Sequence, residues 1–311
     1  MSVYTRIEAH QLEDLLSHYQ IGELVDFNGI ADGIENTNYH IITTNGQYIL
    51  TIYEHLEERQ IGFYVELLEH LSQQKLSVPT AITRRNGEFL SFLSKKPAAL
   101  FNRIEGTSPA QPTLDQCTAI GKWLAKLHLT TQQFSFDAQT LRAPFNYKIM
   151  AQHQGEGMDA SQKQLVQGLV NDWQAFEVLD LPCGLIHGDL FRDNALFCDN
   201  TLSAVLDFYS ASYEALVLDL AITLNDWCRT PNNQLDSERF RALMGGYQAI
   251  RVLTSDEYNN LPLVIRIAAF RFWLSRMEEG KSNKTGALTH QKNPNEFKEL
   301  IEWLSEGDSF I

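Results

Sequence analysis

Two carboxylates and one amide lie beside short apolar segments in the middle of the chain. Asp189 comes two residues after His187, which ends one apolar segment; Asn194 precedes a second segment, and Asp207 ends a third. Carboxylate and amide oxygens, with water and phosphate oxygens, are the ligands that Mg²⁺ takes in proteins. A carboxylate that is not bound to metal can orient or deprotonate an attacking hydroxyl group. The pattern therefore predicts a magnesium site with an acid–base carboxylate beside it.

The elements that must position these groups are short strands within a helical region. Residues 184–207 are a β-rich island, and we expect the three groups to lie at strand ends of one sheet. Thr113, followed by Gln116, is typical of a capping box at a helix start. Helical patterns cover residues 113–128, 160–179, 236–250, 255–279 and 295–305.

The first third of the chain predicts a small lobe of antiparallel hairpins with one helix between them. A further helix is predicted at the N-terminus, over residues 8–18, and the inner helix covers 61–71. Asn45-Gly46 is a strong hairpin signal, and Asn86-Gly87 predicts a second hairpin between residues 81–83 and 89–93. A strand over 98–102 ends this lobe. We expect a lobe boundary near residues 102–106, with domains of 1–102 and 103–311.

Composition limits the class of protein. The chain has 311 residues, which predicts two lobes, and its net charge is −14 from 25 basic and 39 acidic residues. So acidic a surface repels nucleic acids and anionic membranes, and neither is expected as a partner. The four cysteines form no C-x-x-C pair, and no signal peptide or run of 18 apolar residues is found. We expect a cytoplasmic protein; the sequence does not predict its oligomeric state.

The order His187, Asp189, Asn194, Asp207 resembles the catalytic loop and metal-binding acid of protein-kinase-like phosphotransferases. Gly188, where protein kinases have arginine, is similar to the aminoglycoside- and choline-kinase branch. Within that branch the chain resembles the homoserine kinases along essentially its whole length. The segments that carry this resemblance are GIADGIENTN (29–38), YILTIYE (48–54), LDFY (206–209), DLAI (219–222) and GAL (286–288).

The resemblance implies an α+β, bilobal protein-kinase-like fold with a small β-rich N-terminal lobe and a larger, mainly helical C-terminal lobe. It implies an ATP-dependent enzyme that uses Mg²⁺ and transfers the γ-phosphoryl group to the hydroxyl of L-homoserine. The product would be O-phospho-L-homoserine, a step of threonine biosynthesis.

The same resemblance implies a role for each residue of the central motif. Asp189 would be the catalytic base or would orient the substrate hydroxyl, and His187 would be a scaffold residue of the catalytic loop. Asn194 and Asp207 would hold Mg²⁺ against the ATP phosphates. Asp219 would brace the loop through hydrogen bonds to backbone N–H groups.

Nucleotide binding is implied for two further segments. Residues 29–38 resemble the loop that covers the phosphates, where small residues let backbone amides approach an anion. The residues from 102 to 104 would form a hinge whose backbone pairs with adenine. The candidates are Gly29, Gly33, Asn36, Asn38, Asn102, Arg103 and Ile104.

One departure concerns the phosphate-binding lysine of such kinases. Residues 48–53 contain no Lys or Arg, and Thr51 occupies the place of that lysine. The homoserine kinases resemble this sequence here, so activity is still expected. The loop residues 33–38 or Mg²⁺ would compensate, and a role for Glu66 or Glu69 as a lysine partner becomes doubtful.

Homoserine is a zwitterion, so its carboxylate needs a cation and its ammonium needs an acid or carbonyl groups. The candidates in this sequence are Tyr209, Asp226, Trp227 and Arg271. Arg271 and Arg276 are five residues apart on one predicted helix, which places them on different faces. We expect Arg271 to face the substrate.

Two alternatives remain open from the sequence. The first is a kinase of the same fold that acts on another hydroxylated amine, such as choline, an aminoglycoside or hydroxylysine. The second is an inert pseudokinase that serves as a binding module, which the missing lysine suggests. The joint presence of Asp189, Asn194 and Asp207 favours an enzyme.

Overall fold

The N-terminal part of the chain forms a five-stranded antiparallel sheet with the strand order β1-β2-β3-β5-β4. The computed structural model describes residues 4–30, 36–137, 141, 145–155, 157–281 and 292–306. The described residues divide into two compact units, and the chain passes from the first to the second between Glu105 and Gly106. The elements of the first unit are α1 (Ala9–Ser17), β1 (Leu24–Ile30), β2 (Thr37–Thr43), β3 (Gly46–Ile52), α2 (Glu58–Gln73), β4 (Leu90–Leu93) and β5 (Lys96–Asn102).

Helix α1 packs on the sheet through one apolar face. Leu12, Leu15 and Leu16 recur at helical spacing, and all three are buried in a core with Ile41 of β2 and Leu50 of β3. Both α1 and α2 begin with a capping box in which a glutamate and a glutamine pair with each other's backbone. The two predicted helices of this unit are confirmed.

One of the two predicted hairpins is confirmed and the other is wrong. Strands β2 and β3 are joined by a tight turn, with Thr43 paired to Gly46. Asn86-Gly87 does form a turn, in which the backbone N–H of Arg84 donates to the carbonyl of Glu88 at 2.6 Å. Residues 81–83 form no strand that pairs with 89–93, and Ala81 instead bridges to Phe101. The second hairpin instead joins β4 to β5 through Ser94 and Lys95, which both have positive φ, at 51° and 66°. Non-glycine residues rarely adopt this conformation, so the sequence does not signal the turn.

The second unit is mainly helical. Its helices are α3 (Leu114–Thr130), α4 (Tyr147–Gly155), α5 (Ala160–Glu177), α6 (Leu216–Trp227), α7 (Ser237–Gln248), α8 (Ser255–Lys281) and α9 (Asn295–Glu306). The five predicted helices of this region are confirmed, including the capping box of Thr113 and Gln116. Helices α4 and α6 were not predicted. Every residue of α6 is buried, so this helix lacks the alternation of polar and apolar faces that identifies a surface helix.

The expected single sheet of the β-rich island is wrong. Two separate antiparallel pairs form instead, β6 (Cys183–Ile186) with β9 (Ser212–Ala215) and β7 (Ala195–Cys198) with β8 (Thr201–Val205). Strand β9 is short and runs directly into α6, so its sequence does not distinguish it from the helix. Because β9 is the partner of β6, the three polar groups lie at the ends of strands from two pairs.

Helices α3 and α7 cross at two glycines. A Cβ atom on Gly121 would lie 2.1 Å from the carbonyl oxygen of Leu243, and one on Gly246 would lie 2.3 Å from that of Thr118. The backbones therefore approach more closely than any side chain allows. Within the described part of the chain, no helix is long and apolar enough to cross a membrane.

Candidate active site

The loop between β6 and β7 brings Asp189 and Asn194 together. The side-chain amide of Asn194 donates to the backbone carbonyl of Asp189 at 2.8 Å and to its carboxylate Oδ2 at 3.1 Å. The backbone N–H of Phe191 also donates to the Asp189 carbonyl, at 2.8 Å. These bonds fix the direction of the Asp189 carboxylate, and they leave Oδ1 of Asn194 as the atom of that side chain available to a cation.

His187 is buried, and both of its ring nitrogens are engaged. Nε2 lies 2.9 Å from the carbonyl oxygen of Leu206 and donates to it, while Nδ1 accepts from the backbone N–H of Asp189 at 3.2 Å. Burial lowers the pKa of His187, against the opposing charge of Asp219, which keeps the ring neutral in this arrangement. This geometry suits the scaffold role predicted for His187 and leaves no nitrogen for proton transfer.

Gly188 allows the turn that follows His187. Its φ is +76°, and a Cβ atom would lie 2.6 Å from the carbonyl oxygen of Ser210. A side chain at this position would displace the loop from the segment that carries Asp207 and Tyr209.

Asp219 of α6 holds the beginning of the loop through hydrogen bonds to the loop backbone. Its Oδ2 accepts from the backbone N–H of His187 at 2.8 Å, and its Oδ1 accepts from that of Gly188 at 2.9 Å. His128 of α3 donates to the same carboxylate from Nε2, at 3.1 Å. Burial alone would raise the pKa of Asp219, but the hydrogen bonds from His128 and from the backbone amide of Gly188 lower it below its usual value.

Asp226, seven residues further along α6, supports the other half of the loop. Its carboxylate accepts from the backbone N–H of Arg192 at 2.8 Å and from the Nε of that side chain at 3.0 Å. Arg229 adds a second guanidinium at 3.5 Å. The desolvation of Asp226 is outweighed by the charge and hydrogen bonds of Arg192, so its pKa is lowered. The sequence predicted a substrate contact for Asp226. With two arginines already paired to it, this carboxylate is better placed to hold the loop than to bind the substrate ammonium.

A buried polar chain extends from Asp219 away from the loop. The hydroxyl of Tyr247 lies 2.8 Å from Nδ1 of His128 and donates to it, since Nε2 already carries the proton given to Asp219. Arg251 donates to the Tyr247 oxygen at 3.0 Å and to Glu257 at 2.8 Å. Sequence reasoning missed these residues. The available signal was a histidine on the apolar stripe of α3, four residues after the buried Leu124.

Asp207 follows β8 in the left-handed conformation, with φ 63° and ψ 63°, and is exposed. Tyr209 lies half-buried in the 3-10 turn that comes next. Burial and the negative charge of Asp207 together raise the pKa of Asp189 well above its usual value, against the charges of Lys292 and Arg271. Asp207 and Asp189 are therefore close enough to repel each other, and a cation between them would remove that cost.

Two of the predicted substrate residues, Arg271 and Trp227, are buried, and each donates a hydrogen bond to a backbone carbonyl of the loop. Arg271 of α8 is buried and donates to the carbonyl of Gly188 at 3.4 Å, with its guanidinium 5.6 Å from the ring centres of Phe145 and Phe272. Trp227 has no exposed surface, and its indole N–H donates to the carbonyl of Leu190 at 3.0 Å. This position favours a packing role for Trp227 under the loop over the predicted substrate contact.

Arg276 faces away from Arg271. It pairs with Glu296 at 2.7 Å and donates to the carbonyl of Asn293 at 3.1 Å. The two arginines of α8 thus have separate partners, as their spacing of five residues predicts.

The nucleotide candidates in the first unit lie on and beside the β1–β2 hairpin. Gly29 is within β1 and pairs with Tyr39, so it lies in a strand and not in the predicted loop; Gly33 lies outside the described residues. Asn38 of β2 pairs across the strands with Thr51 of β3, whose hydroxyl donates to Oδ1 of Asn38 at 2.8 Å. Thr51 therefore fills the predicted lysine position with a short, buried side chain.

Asn36 and a neighbouring ion pair lie at the end of the same strands. The side-chain oxygen of Asn36 accepts from the backbone N–H of Glu54 at 3.4 Å. The carboxylate of Glu54 pairs with Lys96 of β5 and accepts from the hydroxyl of Thr37 at 2.7 Å. Because Glu66 and Glu69 are both exposed, Glu54 is the better-buried acid near the sheet.

Two of the three predicted hinge residues, Asn102 and Arg103, already form hydrogen bonds within the first unit. Asn102 ends β5, and its side-chain oxygen accepts from the backbone N–H of Thr80 at 2.6 Å. The backbone N–H of Arg103 donates to the carbonyl of Gln47 at 3.2 Å. That donor is therefore occupied, and Ile104 is the hinge residue better suited to an adenine edge.

Comparison with known proteins identifies the family. A model of the phosphotransferase enzyme family matches residues 26–253. The chain belongs to this family. The resemblance predicted from the central motif is confirmed, and the chain is a phosphotransferase.

Curated relatives within this phosphotransferase family match nearly the whole chain. The homoserine kinase of Methylobacillus flagellatus is 36% identical over 301 residues, covering 97% of this chain and 94% of that protein. The homoserine kinase of Neisseria meningitidis is 35% identical over 311 residues, covering 97% of this chain and 99% of that protein.

Solved structures of two kinases share the fold. Amicoumacin kinase hAmiN aligns with a TM-score of 0.73 at 16% identity, covering 96% of this chain and 93% of that one. Choline kinase LicA from Streptococcus pneumoniae aligns with a TM-score of 0.68 at 16% identity, covering 95% and 98%. The predicted protein-kinase-like fold, with a β-rich first unit and a mainly helical second unit, is confirmed.

Proposed function

We propose that the protein is an ATP-dependent homoserine kinase, which transfers the γ-phosphoryl group to the hydroxyl of L-homoserine and releases O-phospho-L-homoserine. The observation that carries this proposal is the identity of 35% and 36% to homoserine kinases along nearly the entire chain. The proposal includes a nucleotide-binding lobe of residues 1–102, a catalytic lobe of residues 103–311, a cytoplasmic location and a role in threonine biosynthesis.

Asp189 carries the chemistry in this proposal. Its carboxylate accepts a hydrogen bond from the substrate hydroxyl and takes the proton as the hydroxyl oxygen bonds to the γ-phosphorus. The bond between that phosphorus and the β,γ-bridging oxygen breaks, and ADP leaves. The raised pKa of Asp189 makes it a stronger base than an ordinary carboxylate. Asn194 holds the carboxylate in direction, while Asp219 and Asp226 hold the loop. Most of the rate enhancement then comes from positioning.

Asn194 and Asp207 would hold Mg²⁺. An amide oxygen and a carboxylate are suitable donors for this ion, and the repulsion between Asp207 and Asp189 is what a cation would offset. When bound, the ion neutralises charge on the phosphates of ATP.

The first test is an assay of ADP release with Mg²⁺ and ATP, in which L-homoserine is compared with choline, L-serine, hydroxylysine and an aminoglycoside. Selective turnover of L-homoserine is expected. Preference for another acceptor would overturn the substrate and keep the reaction class. If ATP binds but no acceptor is phosphorylated, the pseudokinase alternative holds instead.

A further inference from the structure

A cavity of about 300 Å³ lies against the catalytic loop within the second unit. Arg192 and Asp193 of the loop line it, together with Arg229, which follows α6. Lys292 also lines the cavity and pairs with Asp193. Asp193 directly precedes Asn194, whose side-chain amide donates to the Asp189 carboxylate at 3.1 Å, so the cavity adjoins the part of the loop that holds the proposed base. A larger cavity of about 500 Å³ includes no residue of this loop.

The wall of this cavity carries both signs of charge. Its ionisable residues are the cations Arg192, Arg229, Arg276 and Lys292 and the acids Asp193, Asp226 and Glu296. A polycationic aminoglycoside or a choline would meet a small excess of positive charge here, which opposes binding. An amino acid zwitterion can place its carboxylate against the cations of the wall and its ammonium against the acids.

Arg229 has an unused donor in this wall. Its Nη2 lies 3.2 Å from Glu296 and 3.5 Å from Asp226, but its buried Nη1 has no hydrogen-bond partner in the described part of the chain. Burial lowers the pKa of Arg229, and the like charges of Arg276 and Arg192 add to this effect, although the two acids oppose it. An anion at this guanidinium would satisfy the donor and reduce the repulsion.

We propose that the α-carboxylate of the acceptor amino acid binds to Arg229 in this cavity, so that the acceptor hydroxyl extends toward Asp189. This inference rests on the proposed function. It assigns to Arg229 the carboxylate contact that the sequence predicted for Arg271. The guanidinium of Arg271 lies 5.6 Å from the centres of two aromatic rings and donates to the carbonyl of Gly188, so Arg271 is placed to position the loop.

The test compares L-homoserine with 3-aminopropan-1-ol, which has the same hydroxyl and amine but no carboxylate. The wild-type enzyme is expected to favour L-homoserine in kcat/KM by roughly 100-fold or more. Arg229→Gln is expected to lower kcat/KM for L-homoserine by roughly 10- to 100-fold more than it lowers kcat/KM for 3-aminopropan-1-ol, because any effect through Asp226 acts on both acceptors equally. The KM for ATP should not change.

Arg266→Gln is the matched control. Arg266 of α8 is also an ion-paired arginine, at 2.5 Å from Asp172, and its buried Nε likewise has no partner among the described residues. It does not line the cavity. This variant should keep the wild-type kinetics with both acceptors.

Arg229→Lys keeps the charge beside Asp226 and Glu296, so it tests the proposal if Arg229→Gln does not fold. It should lose part of the preference for L-homoserine because an ammonium lacks the two-pronged guanidinium geometry. Folded Arg229 variants that keep the full preference, or a wild-type preference below about threefold, would overturn the carboxylate assignment alone. Absence of L-homoserine turnover in the wild type would overturn the proposed function.

Discussion

Asp189 combines two properties that seldom occur in one carboxylate. Its direction is fixed by Asn194, while burial and the charge of Asp207 raise its pKa. A surface aspartate has neither property. The closeness of Asp189 and Asp207 suits Asp189 to its proposed role as the proton acceptor in phosphoryl transfer.

Replacement of this acid tests its role directly. Asp189→Asn is expected to lower kcat by roughly 10²- to 10⁴-fold, because an amide cannot accept the proton. The KM for ATP should change little, as measured in the ADP-release assay. Asp199→Asn is the control, since Asp199 is an exposed acid in the turn between β7 and β8. An Asp189→Asn enzyme within about threefold of wild type would remove Asp189 from its role.

Helix α6 explains how one loop is held at two points. Asp219 and Asp226 are seven residues apart, so two helical turns separate them and both face the loop. One carboxylate binds the backbone of His187 and Gly188, and the other binds that of Arg192. The loop geometry therefore depends on the helix beneath it.

Removal of Asp219 should destabilise the fold in a pH-dependent manner. Asp219→Ala leaves buried N–H groups without an acceptor, which is expected to lower the free energy of unfolding by about 3–5 kcal/mol at pH 7. Because the folded-state pKa of Asp219 is lowered, its ionised form stabilises the protein above the ordinary pKa of about 4. That contribution is lost as the pH falls through the folded-state pKa.

Urea unfolding at pH 7 and at successively lower pH measures this effect. The difference between wild type and Asp219→Ala should shrink below about pH 4. Asp256→Ala, at an exposed position in the first turn of α8, should cost less than about 1 kcal/mol. A difference that stays constant with pH would show that the ionised carboxylate is not the stabilising form.

The crossing of α3 and α7 offers a second test, at two adjacent positions. Gly246→Ala is expected to cost about 1–3 kcal/mol, because its Cβ would clash with the backbone of Thr118. Gly245→Ala meets no atom within 4 Å and should stabilise the helix by up to about 1 kcal/mol. Urea unfolding of the two variants checks the order; equal effects would show that the helices do not pack this closely.

Helices with regular periodicity were predictable, and strand partners were not. The repeats of Leu12, Leu15 and Leu16 and the cap at Thr113 indicate helices locally. The partner of β6 depends on a contact across the chain, and the turn at Ser94 and Lys95 uses residues that rarely form it. Local propensity contains neither kind of information.

The candidate site shows the same division. Asp189, Asn194 and Asp207 could be identified as candidates because their order along the chain is distinctive. His128 and Arg229 were not, since each matters only through a partner distant in sequence or through an unsatisfied donor. The role of a histidine on a helix, such as His128, follows from its contacts in the fold, and the sequence does not show these contacts.

The charge of the whole molecule limits its partners. A net charge of −14 opposes binding to any polyanion at low salt, where such binding is strongest. In fluorescence anisotropy with labelled duplex DNA at about 50 mM salt, no binding is expected up to roughly 10 μM protein. A salt-dependent increase in anisotropy would reveal a basic surface that the total charge conceals.

The two carboxylates of α6 also affect how the enzyme responds to heat. A catalytic loop on an independent hinge would loosen first, so that activity would vanish while most of the protein remained folded. Here the loop is attached at both ends to a helix that lies wholly in the core. Loss of turnover and calorimetric melting of the second unit should therefore occur at the same temperature.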